Sequence, residues 1–157
     1  FLSFFATTLV YLVPDFTSDN LVISGTVNIG TFCGTFVHMN WGHWFSNMIF
    51  LIPVWIYADK LTSKPFITII VLANLLLTGI YGLLSEQRLC GLSGVVFMLI
   101  GFTAIIGNWL MFGFAALLFF SEFMLLREED GMSHGAHIIF FILGIGIGIA
   151  KCAFAVF

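Results

Sequence analysis

Apolar residues dominate this chain, and the few charges and turn residues cut them into six stretches. A bilayer-crossing helix needs about 20 mostly apolar residues, with about 17 to 25 observed. The first stretch covers roughly residues 1 to 13 and ends at Pro14 and Asp15. A mildly polar segment rich in Gly, Asn, Ser and Thr follows, from Asp15 to Met39. Asn40, a favourable N-cap, predicts a second helix running to about Tyr57. "ADKLTSKP" then reads as a short loop, with Pro65 placed to open the third helix. That helix covers about 66 to 84 and ends at "SEQRLC". A short fourth covers about 92 to 107, and Asn108 and Trp109 mark a tight turn. The fifth runs to about Leu126, "REEDGMSHG" forms the last loop, and the sixth runs from about 135 to 155. The expected fold is an all-α, six-helix membrane bundle forming a single domain over 1–157, with no internal repeat.

Composition supports the same class. The chain of 157 residues is 61 % hydrophobic and 8 % charged, against roughly 25 % charged in an ordinary soluble domain. So few charges cannot cover a water-soluble surface of this size. The net charge of −3 is spread out, and no basic cluster suited to nucleic acid is present. Cys33, Cys90 and Cys152 have no metal-ligand spacing, and neither a metal nor a cofactor is expected. "FLSFFATTLVYLV" lacks the basic flank and cleavage site of a signal peptide. It reads as the remnant of a first membrane helix, in a chain trimmed at its ends.

Lys60, Lys64 and Lys151 fall on one side of a six-span layout, and Arg88 and Arg127 on the other. The basic-residue rule then places both termini in the cytoplasm, by a narrow margin.

Polar groups inside membrane helices are costly and often functional. Here they are His43, Asn47, Asn74, Ser93, Glu122 and His137. His43 and Asn47 are four residues apart and share a helical face. By the helix count, both lie near the external end of the second helix. Ser93 begins the fourth helix and His137 the sixth, so these four groups share one depth. A serine needs a base to become a nucleophile, and a neutral imidazole suits that task. The backbone N–H of Ser93, at a helix N-terminus, favours developing negative charge. His43 and Asn47 could complete such an oxyanion hole. Gly91 and Gly94 leave the backbone beside Ser93 open. Taken singly, each feature has a plainer reading: "GLSG" as close helix packing, a lone histidine or Asn47 as an interhelical bond, and "GIGIGIAK" as a packing face. Their joint occurrence at one depth favours a site. A transporter would show an inverted repeat or a polar stripe through the full bilayer, and the chain shows neither.

"HMNWGHWFSN", then "GLSG", then "GAHIIFFILG" together resemble the rhomboid intramembrane serine proteases, over about Thr31 to Gly148. The resemblance implies a six-helix core with a serine–histidine dyad and no acidic third member. By motif position it makes Ser93 the nucleophile and His137 the general base. It places His43 and Asn47, with Ser93, in the oxyanion hole. His38 matches a structural histidine before the second helix. Gly91, Leu92 and Gly94 flank the serine, and Phe97 falls where an aromatic residue lies beside the histidine. The implied substrates are transmembrane proteins in a lipid bilayer, cleaved at or near their membrane segments. The implied location is a bacterial-type inner membrane, with the site opening to the external face. A catalytically inactive relative that binds membrane segments, and a subtype that processes sorting anchors, remain alternatives. Oligomeric state is left open.

Three features depart from the family pattern. Phe140 replaces a small residue three after the histidine, and is expected to hold the fourth and sixth helices apart. The loop before the second helix lacks a Trp-Arg pair. His134 lies three before His137 and is expected in the polar loop, outside the Ala136–His137 match. Glu122 is expected to reach water near the external surface, and Cys33 and Cys90 are expected on the same side, with two free buried thiols as the plainer reading and a disulfide as the alternative.

Overall fold

Asn40 starts the first helix as its composition suggests: its side-chain oxygen accepts a hydrogen bond from the His43 N–H at 2.8 Å. The computed structural model describes residues 34–38, 40–85, 89–127 and 133–154. A single 3-10 turn (Gly34–Phe36) precedes α1 (Trp41–Leu61), α2 (Lys64–Ser85), α3 (Ser93–Ile106), α4 (Trp109–Met124) and α5 (His134–Phe154). These five helices are the second to sixth apolar stretches. The first stretch, and Cys33 with its possible pairing, lie outside the described residues.

The boundaries follow local chemistry. Expected as a loop, "ADKLTSKP" is mostly helical, and only Thr62 and Ser63 separate α1 from α2. The Ser63 carbonyl accepts from the N–H groups of Phe66 and Ile67 and so starts the new helix at once. At the C-terminal end of α3, the Asn108 side chain accepts from the Met111 N–H at 3.0 Å and caps α4. Tyr57 on α1 accepts a hydrogen bond from the Asn108 N–H at 3.1 Å. That bond ties the far end of α1 to the α3–α4 turn.

α3 lies at the centre and contacts each of the other four helices, α5 most extensively. Ten of its residues are buried, among them Met98, Leu99, Ile100 and Phe102. The outer faces of the surrounding helices are apolar instead: Ile49, Ile52 and Ile56 on α1, Leu72 and Leu76 on α2, Leu117 and Phe120 on α4 are all exposed. Lys64–Leu84 and His134–Phe154 are each long and apolar enough to cross a bilayer. In lipid, hiding apolar surface supplies little driving force between helices, so close packing must hold them together. Glycine provides it here. A methyl group on Gly101 would collide with the Phe141 carbonyl, and one on Gly144 with the Met98 carbonyl. α3 and α5 therefore meet backbone to backbone. The Phe140 ring and the Asn74 amide both lie over Gly94, and the ring is edge-on to Tyr81. It fills the gap at Gly94, and the helices still touch one to two turns further on. The expectation of a spacer is replaced by that of a plug.

With 14 residues at about 1.5 Å each, α3 is roughly 21 Å long, shorter than the roughly 30 Å hydrocarbon core. Protein encloses it on all sides, so an end that stops short of the surface can face a water-filled recess rather than lipid. Ser93 is at one such end.

Candidate active site

The turn before Ser93 depends on Gly91, whose φ of +92° is a left-handed conformation that glycine adopts freely. The Gly91 N–H donates to the Gly34 carbonyl at 3.0 Å, which ties this turn to the 3-10 turn before α1. Leu92 follows as the helix cap, and its apolar side chain makes no capping hydrogen bond. The first intrahelical bond runs from the Val96 N–H to the Leu92 carbonyl. The N–H groups of Ser93, Gly94 and Val95 thus open α3 without a side-chain acceptor from the cap, where the helix dipole favours negative charge.

α1 brings two more polar side chains to the same place. A Cβ on Gly91 would lie 2.9 Å from His43 Nε2 and 3.5 Å from Asn47 Nδ2, so both side chains reach the bare face of that glycine. Asn47 Nδ2 donates one hydrogen to the His43 carbonyl at 2.8 Å; its second hydrogen is not used in that bond. His38, fully buried, meets the His43 ring edge-on at 5.2 Å. Burial is the main cause that lowers the His38 pKa to about 4, with the nearby His43 adding to it; a hydrogen bond with the Phe36 backbone opposes the shift. At neutral pH the His38 ring is therefore uncharged, consistent with a structural part.

α5 brings His137 to the same turn. Its ring stacks on Phe97, with centroids 4.4 Å apart and planes 12° from parallel. Phe97 lies one helical turn after Ser93, so the stack fixes the imidazole over the first turn of α3. The Nδ1 atom of His137 lies 2.8 Å from Glu122 Oε2 on α4. His134 Nδ1 reaches the same oxygen at 2.7 Å. No hydrogen bond between Ser93 and His137 is present among the described residues.

Two expectations change here. His134 is the first residue of α5 and buried, not part of a polar loop, because the Ser133 carbonyl already accepts the His137 N–H and begins the helix. Glu122 is 15 % exposed and bound to two imidazoles, so it does not simply reach water. Its position as an acid inside an apolar helix was the signal for a partner; the partner's identity was not visible. Together Glu122, His134 and His137 offer three ligand atoms within 4.8 Å of one another. Ligands of a tetrahedral zinc at about 2.0–2.1 Å would stand roughly 3.3 Å apart. The observed 2.7 and 2.8 Å are hydrogen-bond lengths.

An apolar-faced helical bundle packed around a buried central helix defines a helical membrane protein. Residues 29–154 match the Rhomboid domain. The chain belongs to the rhomboid family and is an integral membrane protein. A comparison with curated proteins returns no match.

Proposed function

We propose that the protein is an intramembrane serine endopeptidase that cuts transmembrane or juxtamembrane segments of other membrane proteins. The observation that carries this reading is convergence: three helices deliver Ser93, His137, and the His43–Asn47 pair to one turn at the N-terminus of α3. Ser93 Oγ attacks the scissile carbonyl while His137 Nε2 takes its proton. The negative charge that forms on the carbonyl oxygen is met by the Ser93 N–H, His43 Nε2 and the free hydrogen of Asn47 Nδ2. His137 then protonates the leaving amine, and water resolves the acyl-enzyme by the same proton path in reverse. His38, Gly91, Leu92 and Gly94 shape the turn, and Phe97 orients the base.

The substrate class follows from the setting. A stable helix hides its peptide bonds, so the target must unwind locally before Ser93 can reach a carbonyl. Segments with glycine, proline or other poor helix formers unwind most easily. The shortness of α3 lets water into the recess from one face, which we take to be the external face of a bacterial-type inner membrane.

The test uses purified protein in lipid vesicles with a panel of single-span peptides carrying small residues near one end, cut sites being read by mass spectrometry. The wild-type protein is expected to cut within or beside the span, and Ser93→Ala to leave the peptides intact. Cleavage that persists unchanged in Ser93→Ala contradicts the proposal.

A further inference from the structure

Glu122 has no role in a serine–histidine dyad, yet it makes the closest polar contact that the candidate base has in the described structure. Its Oε2 lies 2.8 Å from His137 Nδ1 and 2.7 Å from His134 Nδ1. When Glu122 is ionised its carboxylate only accepts, and two ring nitrogens at these distances then each point an N–H at the same oxygen. In that state His137 is the tautomer whose Nδ1 carries the proton and whose Nε2 keeps the lone pair that a general base needs.

We infer that Glu122 is a positioning residue that extends the Ser93–His137 pair to a triad, with His134 as the second donor that holds the carboxylate in place. The inference rests on the reading of Ser93 as nucleophile and His137 as base. Three restraints act on the His137 ring at once. Phe97 covers its face, Glu122 holds Nδ1, and the backbone of α5 anchors its root. The side chains are 12 % exposed for His137, 15 % for Glu122 and 3 % for His134, so water screens the contacts little. His134 and His137 lie one turn apart on α5, their rings edge to face at 6.1 Å. Without His134, Glu122 would have one donor and freedom to swing along the α4–α5 seam.

The acid does not take up the proton. When Ser93 Oγ forms its bond to the substrate carbonyl carbon, the Oγ proton moves to His137 Nε2. The imidazolium that results keeps its Nδ1–H on Glu122, whose negative charge offsets the new positive one. As the C–N bond breaks, the Nε2 proton leaves with the amine. Water then attacks the acyl carbon, gives one proton to Nε2, and Ser93 Oγ recovers it as the ester bond breaks.

Two measurements on the full chain in detergent test this. The first is the rate at which a fluorophosphonate labels Ser93, alongside kcat and KM for a membrane-span peptide. Glu122→Gln keeps the shape but loses the charge and one acceptor. It is expected to lower the labelling rate and kcat by about 10²–10⁴-fold with KM nearly constant; His134→Gln should lower them less, by about tenfold. The second is the ring nitrogen NMR spectrum of His137. The wild type should show a protonated Nδ1 and a bare Nε2, and Glu122→Ala a mixture of tautomers at an unchanged fold. Wild-type labelling and unchanged tautomer populations in both Glu122 variants overturn the inference. An unlabelled wild-type Ser93 with His137 still held as the Nδ1–H tautomer contradicts the protease reading instead, and leaves the Glu122 contact standing.

Discussion

Phe97 lies flat on the imidazole of His137, 4.4 Å between ring centroids and 12° from parallel. The two residues sit on different helices, α3 and α5, and the same α3 turn carries Ser93. Stacking at this distance favours one ring orientation over rotation about χ2. It therefore couples the direction of Nε2 to the position of the serine.

Phe97→Ala removes that face and leaves His137 held through Nδ1 alone. The expected result is a kcat lower by about tenfold, since reacting groups displaced by about 1 Å can cost up to 10²-fold. KM should move little, and Phe97→Tyr should retain most of the rate. Steady-state kinetics on a membrane-span peptide separate these outcomes; a full kcat in Phe97→Ala contradicts the orienting part given to the ring.

In the proposed mechanism Asn47 stabilises charge that exists only in the transition state. Asn47→Ala should lower kcat by about 10²–10³-fold, the usual consequence of losing one strong oxyanion donor. Because Asn47 Nδ2 also donates to the His43 carbonyl, Asn47→Asp is a useful second variant. It keeps the size but presents an acceptor to the oxyanion, and should be at least as impaired. Activity near wild type in both variants would remove Asn47 from the hole.

The α3–α5 contact has little tolerance. Gly144→Ala forces a methyl group onto the Met98 carbonyl, a backbone atom that cannot rotate away. Overpacking of this kind typically costs about 1–3 kcal/mol and sometimes more. A clear drop in the thermal midpoint in detergent is expected, with Gly146→Ala as the control, since nothing lies within 4 Å of a Cβ at that position. Equal midpoints for the two variants contradict the backbone-to-backbone contact.

His38 should make stability depend on pH. Its pKa is near 4 in the folded protein and about 6.5 in an unfolded chain, so the unfolded state binds a proton first as pH falls. Its contribution is fully present above about pH 6.5 and is lost on acidification towards pH 4, by at most about 1.4 kcal/mol per pH unit. Thermal unfolding between pH 4 and 7 should show a steeper acid loss for the wild type than for His38→Gln. Matching slopes contradict a neutral, buried His38.

Much of this fold can be read along the chain because its signals are local. Asn40 and Asn108 are caps that act on residues three positions away, and the shortness of α3 follows from the turns around it. The common depth of His43, Asn47, Ser93 and His137 needs only helix counting. Glu122 was different. It lies 12 and 15 residues from the two histidines, across the loop between α4 and α5, and only the packing of those helices turns it inwards. The place of Phe140 was also hidden, because whether a ring separates two helices or fills a gap between them depends on the glycine opposite. Here that glycine is Gly94.

The most direct test of the whole account needs no substrate. Detergent-purified protein is treated with a fluorophosphonate, and the adduct is located by mass spectrometry beside Ser93→Ala and His137→Ala. The account predicts one adduct, on Ser93, absent from Ser93→Ala and strongly reduced in His137→Ala. A folded wild-type protein that takes no label contradicts it, and points to a rhomboid-family protein that binds membrane segments without cutting them.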